Sequence, residues 1–534
     1  MKRRCTSRSQ RRRKPRRPAS STPCCAAAGP GRSTPEPLPS RRVFQGPAGR
    51  SAGPLFVPFA PGLPSSAAAI RGVYSCAPSA IIRFTWRIQP AGEQALKQGG
   101  NRSVAIVGSG PGGMYAAQAL LEKAPGTRID IIDKLPTPFG LIRGGVAPDH
   151  QSTKRVDKKY SETASSEGIR FVGNVELGRD VSLAELEDIY DAVVLAYGAP
   201  YDNSLGIPGE DKAGVFGSNA FVGWYNCHPE FRDLNPDLDV DAAAVIGVGN
   251  VAVDVARVLS RTPAEMDKTD IAGYAIERID AARLKDIYMF GRRGPVEASF
   301  TNTELKELGE LEAATCVVDP AQLPDAVPDT LDDREQKVKT RILETLRGLS
   351  QAKPGVKRRT IHLGFYAMPV EILGGDRVEG IRMERTRVEN GRCVGTGETF
   401  DVPCGLVVTC IGSRARAIDG IPFDERRGIV VNDEGRVKPR VYAAGWLKRG
   451  AVGTIGTNRL DSYGVVDLLI GEFAGVPRPG PDALDALLDA RSVRRTSFED
   501  WLEINRLEVE AACGGAPRRK FTAIAEMLKA LDRV

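Results

Sequence analysis

With 534 residues, 42% of them hydrophobic, the chain can fill two or three domains with cores of their own. No apolar run reaches the roughly 18 residues a membrane helix requires, so a soluble protein is expected and a helical membrane span excluded. The net charge of +7 conceals two unlike parts: residues 1–100 hold 18 Lys/Arg against two acids, Glu36 and Glu93, whereas the remaining 434 residues are acidic by nine charges.

The leader, residues 1–100, opens MKRRCTSRSQRRRKPRRP and continues rich in Arg, Pro, Ser and Ala. It cannot bury enough apolar surface to fold, so it is expected to be disordered. Three readings stay open. Its acid-poor, Arg/Ser-rich composition fits a transit peptide, although its prolines would break an amphipathic helix. A basic arm for nucleic acid or an anionic membrane surface is the second, weakened because no aromatics interleave the most basic stretch. The third is an extension upstream of the true start. No clean apolar segment follows the basic start, which argues against a secretory signal. The expected location is the cytoplasm, or the mitochondrial matrix if the leader is a transit peptide.

Residues 104–113 read VAIVGSGPGG: an apolar strand, then Gly108, Gly110 and Gly113, then a helical stretch. The first glycine permits the tight turn, the second lets backbone approach a pyrophosphate, and the third packs helix on strand. The pyrophosphate then meets a helix N-terminus, whose unpaired N–H groups and dipole favour negative charge. The next strand, TRIDIID, ends in Asp133, twenty residues past Gly113. A carboxylate there accepts the hydroxyls of an unphosphorylated ribose, which fits FAD or NAD. His150 closes the following APDH loop and is one of three histidines.

A second fingerprint, AAVIGVGNVAVDVARVLSR, carries Gly247, Gly249 and Ala252 in the same strand–turn–helix setting. Its next strand, LKDIYMFG, comes after the insertion of residues 262–283 and ends at Arg292 and Arg293 rather than an acid. Two guanidiniums there fork onto a ribose 2′-phosphate, so the second site reads as NADPH and the first as FAD. Two dinucleotides held in one chain imply hydride transfer between them. The cofactors carry that chemistry, so no nucleophile is needed.

A helix is expected to begin near Thr301, with Glu304 and Glu307 on one face. For Glu307 two readings stand: an exposed helix acid, or a partner of His150 in a pair that orients the nicotinamide or handles protons during flavin reduction. For His150 itself a loop-stabilising role is the alternative. Residues 332–359 read as a long basic, helical stretch, and LVVTCIGSR, from residue 406, as the return to the first domain. None of the ten cysteines forms a CxxC pair, which argues against a redox dithiol and against a built-in iron–sulfur cluster. No histidine or cysteine spacing suggests a metal site.

Six segments together (GSGPGG, DKLPTPFGLIRGGVAPDH, FVGWYNCHPE, VIGVGNVAVDVAR, GRRGPVEASFTNTELKEL and AAGWLKRGAVGTIGTNR) resemble the adrenodoxin reductase-type ferredoxin–NADP(+) reductases over roughly residues 101–534. The resemblance implies an α/β protein of two Rossmann-like dinucleotide-binding domains with a discontinuous FAD domain: residues 101–200, an NADP domain over 201–404, and a return over 405–534. It implies hydride transfer from NADPH to FAD and single electrons passed to a [2Fe–2S] ferredoxin or adrenodoxin-like protein. A flavin reductase subunit or small-molecule oxidoreductase on the same double fold is the alternative.

The resemblance also implies FAD contacts from Gly112, Leu141, Val175, Trp446, Gly453, Thr454 and Ile455, with Asp133 where the family more often has glutamate. On the NADP side it implies Gly249, Asn250, Val251 and Ala252 at the phosphates, Arg292 and Arg293 at the 2′-phosphate, Glu304 at the cofactor, and Gly453 near the nicotinamide. Such ferredoxins are generally acidic, so a local basic patch is expected for docking. The candidates are Lys337, Lys339, Arg341 and Arg347, then Lys357, Arg358 and Arg359, against the reading that these are solvated helix faces.

Overall fold

A computed structural model describes residues 102–533. The basic leader of residues 1–100, and every expectation placed on it, lies outside the described residues.

Each fingerprint strand is buried along its whole length, Ser103–Val107 and Ala242–Ile246 alike. Strands covered on both faces need helices above and below, the arrangement of parallel α/β sheets. The first sheet has six strands in the order Arg436–Lys438, Val441–Ala443, Ala192–Leu195, Ser103–Val107, Arg128–Asp133 and Ile169–Gly173. All neighbours are parallel except the outermost pair, Arg436–Lys438 with Val441–Ala443. The sheet therefore draws strands from both ends of the described chain.

The second sheet is parallel throughout, in the order Val215–Gly217, Leu406–Thr409, Ala242–Ile246, Asp286–Phe290, Arg359–Gly364 and Ala314–Val318. A three-stranded antiparallel sheet, Ala367–Leu373, Gly380–Glu389 and Arg392–Pro403, extends from it. The two passages between the large sheets run side by side, Tyr201–Asp202 pairing antiparallel with Ser413–Arg414. Both large sheets carry packed cores on each face.

Two expectations are corrected here. Leu406–Thr409, expected to re-enter the first domain, pairs with Ala242–Ile246 and Val215–Gly217 in the second sheet. The crossing comes a few residues later, at Ser413–Arg414. The basic stretch of residues 332–359 is not one helix: the helix covers Asp333–Leu349, and Arg359 opens a strand. No helix among the described residues is long and apolar enough to cross a membrane.

Candidate active site

The first fingerprint shows why its third glycine is needed. A Cβ at Gly113 would stand 1.9 Å from the Gly108 carbonyl oxygen, so any side chain would push the helix Pro111–Lys123 off its strand. Gly112 meets the backbone of Gly445, where a Cβ would lie 3.4 Å from the Gly445 Cα. Ser462 Oγ donates to the Gly112 carbonyl at 2.9 Å. The late segment is thereby fastened onto the fingerprint helix. That helix has no side-chain cap at its N-terminus, which suits an anion's oxygens as acceptors for its first N–H groups.

Asp133 stands at the end of its strand, as its spacing predicts, and also holds the fingerprint loop. Its Oδ2 accepts the Ser109 N–H at 2.9 Å and the Ser109 hydroxyl at 2.5 Å, and its Oδ1 accepts the Leu135 N–H at 3.0 Å. Burial raises its pKa against these hydrogen bonds. The acid thus ties the fingerprint loop down and still has lone pairs free to accept further hydrogen bonds. Leu141 is 41% exposed at the start of a short helix, and Val175 is buried. Trp446 opens the helix Trp446–Arg449. Beyond it, Asn458 Nδ2 donates to the carbonyls of Thr454 and Ile455, both at 3.2 Å, and fixes the segment that includes Gly453.

In the second fingerprint, Gly249 precedes the helix Asn250–Ser260, again without a side-chain cap. Asn250 Oδ1 accepts the Thr301 N–H at 2.8 Å, Val251 is exposed, and Ala252 is fully buried. Thr301 caps the helix Asn302–Gly309 by accepting the Glu304 N–H. Arg292 and Arg293 are exposed and form no ion pair among the described residues. Their backbone is held: the Arg292 carbonyl accepts the Thr386 hydroxyl at 2.8 Å and the Cys393 thiol at 3.0 Å, and the Arg293 carbonyl accepts the Tyr366 N–H at 3.2 Å.

The two halves meet at the APDH loop. His150 Nε2 lies 3.0 Å from Glu307 Oε2 and 3.5 Å from Glu304 Oε2, and its Nδ1 is 3.9 Å from Asp254. Beside it, Arg257 is buried to 1% side-chain exposure and pairs with Asp149 of the same loop. Its other contacts are Asp254 at 2.6 Å and Glu307 at 3.2 Å. Arg261 reaches Asp149 at 3.3 Å. The structure thus brings His150 and Glu307 together and adds Asp149, Asp254, Arg257 and Arg261, which sequence reasoning missed. For Asp149, Asp254 and Arg257 the signal lay in the motifs APDH and DVAR, whose charged residues would be costly to bury unless they paired.

Charges set the protonation of this junction. Burial alone would lower the His150 pKa and Arg257 opposes a positive imidazole, but the Glu307 hydrogen bond and the Asp254 and Glu304 charges raise it on balance. Glu307 goes the other way: burial opposes, yet His150 and Arg257 hold it below the ordinary range. Burial and neighbouring acids raise Glu304 and Asp254. Glu304 Oε2 is buried without a hydrogen-bond partner. His150, Glu304 and Glu307 bring ligand atoms within 4.8 Å of one another. Arg257 Nε already occupies the neighbourhood of Glu307 Oε2, which disfavours a cation there.

The expected docking residues separate by burial. Lys337 and Arg341 are exposed, one helical turn apart on Asp333–Leu349. Lys339 donates to the Ala298 carbonyl at 2.6 Å, and Arg347 to two carbonyls before its helix. Lys357 is bonded to the Leu311 carbonyl. Arg358 is paired with Asp280 at 3.0 Å. Arg359 is a correction: it is 1% exposed and donates to the carbonyls of Leu259 at 2.5 Å, Ile279 at 2.6 Å and Leu284 at 3.2 Å. A guanidinium spent on three interior carbonyls cannot meet a partner protein.

Residues 102–282 match the family model described as pyridine nucleotide-disulphide oxidoreductase. The chain is 42% identical over 471 residues to the mitochondrial NADPH:adrenodoxin oxidoreductase of Bos taurus, covering 83% of this chain and 95% of that one. It is 39% identical over 448 residues to the NADPH-ferredoxin reductase FprA of Mycobacterium tuberculosis, covering 80% and 98%. The structure of that FprA in complex with NADPH superposes with a TM-score of 0.76 at 38% identity, covering 81% of this chain and 100% of that one.

Proposed function

From the premise that this chain belongs to the NADPH:adrenodoxin oxidoreductase family, which includes the bacterial NADPH-ferredoxin reductases, we propose how its residues divide the work of that family. The protein is an FAD-containing, NADPH-dependent oxidoreductase with a ferredoxin-type partner. When bound, FAD supplies the conversion of a two-electron hydride from NADPH into single electrons for an iron–sulfur acceptor. The residues around the first fingerprint fit that cofactor: an uncapped helix N-terminus, a close backbone approach of Gly112 and Gly445, and a carboxylate at the ribose position.

We assign FAD to the first-sheet domain, through Gly108, Gly110, Gly112, Gly113, Asp133, Leu141, Val175, Trp446 and Gly453–Ile455. NADP goes to the second, through Gly249–Ala252, Arg292, Arg293 and Glu304, with Gly453 near the nicotinamide. The observation that carries this reading is the contact between domains, in which the APDH loop of the first grips the fingerprint helix of the second through Asp149–Arg257 and the helix Asn302–Gly309 through His150–Glu307. Such a contact would fix the spacing of the two fingerprints, and so of the cofactors they would hold. Cytochrome c reduction with NADPH or NADH, with and without a [2Fe–2S] ferredoxin, tests it. NADPH preference with ferredoxin dependence is expected. NADPH oxidation indifferent to ferredoxin would move the acceptor to a small molecule.

His150 is assigned a positioning role, orienting the nicotinamide through Glu307. His150→Gln is expected to slow flavin reduction by NADPH in stopped-flow measurement about tenfold or more. Because the folded-state pKa of His150 is raised, the pair's stabilisation is complete below its ordinary value of about 6.5 and fades as pH climbs through the raised value. The variant's stability should lack that pH dependence. An unchanged reduction rate would leave His150 only a loop-holding role.

For the partner, Lys337 and Arg341 are the docking residues we retain, since an acidic ferredoxin needs a local positive patch on an acidic body. Reversing both to glutamate is expected to raise the KM for ferredoxin about tenfold at low salt and leave ferricyanide reduction unchanged. An unaltered KM would place docking elsewhere. We assign the protein to the cytoplasm, or to the mitochondrial matrix if residues 1–100 prove to be a transit peptide. Import of a fusion carrying those residues separates the two.

A further inference from the structure

We propose that a cationic cavity behind the FAD-side loop, floored by Lys154 and Lys520, is a binding site for a phosphate dianion, either the free ion or a phosphomonoester. The cavity has a volume of about 160 Å³, several times the roughly 30 Å³ a water occupies. It is separate from the nucleotide fingerprints, and neither Arg292 nor Arg293 lines it.

Its charge is the first argument. Six basic side chains line it against two acids, Asp157 and Asp270. Arg143 is neutralised from behind by fully buried Glu508, through a two-armed pair whose outer arm measures 2.8 Å. Arg518 leans on Asn505 at 2.6 Å and lies 3.8 Å from Asp157. At the mouth, Arg155 and Lys158 are exposed and form no ion pair among the described residues. With every lysine protonated, three positive charges remain beyond those the lining acids and Glu508 balance, and two remain if Lys154 is neutral.

The floor is the second argument. Lys154 and Lys520 have side-chain exposures of 8% and 2% and share one carboxylate, Asp270, at 2.6 and 2.9 Å. Lys520 satisfies its remaining donors on the carbonyls of Arg143 at 2.9 Å and Asn226 at 3.2 Å. Lys154 has only Asp270 and a 3.4 Å contact with Asn226 Oδ1, so one ammonium hydrogen has no protein acceptor. Burial, reinforced by Lys520, pushes Lys154 down to about 7 despite Asp270. Two buried lysines around one carboxylate either shed a proton, as the lowered Lys154 value shows, or keep both charges by taking an anion. A carboxylate ligand would leave surplus charge, whereas a dianion with several acceptor oxygens matches mixed Lys and Arg donors.

The site joins three parts of the chain: Lys154 after the APDH loop, Asp270 in the insertion of the NADP domain, and Lys520 in the tail. An occupant would bridge all three. Its wall includes Trp501, with the Arg143 guanidinium 5.1 Å from the ring centroid, a spectroscopic handle on occupancy.

Calorimetric titration of the FAD-loaded full chain, with NADP+ saturating the nucleotide site and ionic strength fixed, tests the proposal. Inorganic phosphate and glycerol 3-phosphate are the two probes. Saturable binding of at least one, at one site per chain, is expected, and the tighter probe tells a free ion from an ester. The exposed double variant R155A/K158A should weaken it about tenfold (about 1.4 kcal/mol), and K154M should remove it along with any Trp501 fluorescence change. Absence of saturable binding overturns the proposal, as does binding that R155A/K158A leaves untouched. If K154M does not fold, the exposed pair decides alone.

Discussion

Replacing Arg292 and Arg293 together by alanine is expected to raise the KM for NADPH by about 30- to 1,000-fold and to leave kcat and the KM for NADH within a few-fold. Hydrogen bonds to a charged group contribute about 1.5–3 kcal/mol each, and solvent screening at an exposed site trims that. Two guanidiniums on one phosphate therefore amount to about 2–4 kcal/mol, the range that gives the stated factor. The effect falls on binding because the 2′-phosphate is remote from the transferred hydride and is held equally before and during transfer. Neither side chain has a carboxylate to release, and the carbonyls of both residues are anchored by Thr386, Cys393 and Tyr366, so the loop should keep its path in the variant. Steady-state ferricyanide reduction with both nucleotides reads it directly. If the NADH and NADPH constants rise in parallel, the pair shapes the loop and does not read the phosphate.

What the sequence displays well is what the backbone imposes locally. The Gly113 position, with the Gly108 carbonyl 1.9 Å from any added Cβ, admits no other residue. Such constraints leave a pattern within a dozen residues, as do an acid or an arginine pair at a strand end. The α/β class and the two nucleotide folds followed from those patterns, and the family followed from six longer motifs. What was not visible depends on partners far along the chain. Arg257 and Asp149 are 108 positions apart, and no periodicity links a loop aspartate to the inner face of a distant helix. Arg359 closed a run, Lys357-Arg358-Arg359, that resembles a solvated surface. Its burial appears only once a strand begins there between Asp286–Phe290 and Ala314–Val318. Leu406–Thr409 is apolar enough for the middle of either sheet, so its composition could not choose between them. The place of Asp133 at its strand end was legible, but its hold on Ser109 depends on a turn geometry the spacing does not encode.

Arg257→Met is expected to destabilise the protein by about 3–5 kcal/mol, the usual cost of removing one partner from a buried ion pair. The loss arises from the charge left behind more than from missing packing, since methionine fills much of the same space. Without the guanidinium, Asp149, Asp254, Glu304 and Glu307 face one another with only His150 and Arg261 for compensation. Asp254 and Glu304 already have raised pKa values through burial, and removing a cation moves both further up. A carboxyl whose folded-state pKa lies above its unfolded value stabilises the fold when protonated, so stability is gained as pH falls through the folded value and lost as pH rises through it. The deficit relative to the parent should therefore be larger at neutral pH than in mild acid, as read from denaturant midpoints at both. An equal deficit at the two values would identify a packing defect. The same substitution removes the Asp149 tie between the APDH loop and the NADP-side helix, so hydride transfer should fall with it. Asp149→Asn, which cuts that tie but leaves Arg257 paired to Asp254 and Glu307, should slow transfer with a smaller loss of stability. The pair of variants thus separates the electrostatic work of Arg257 from its work in holding the two nucleotide domains in register.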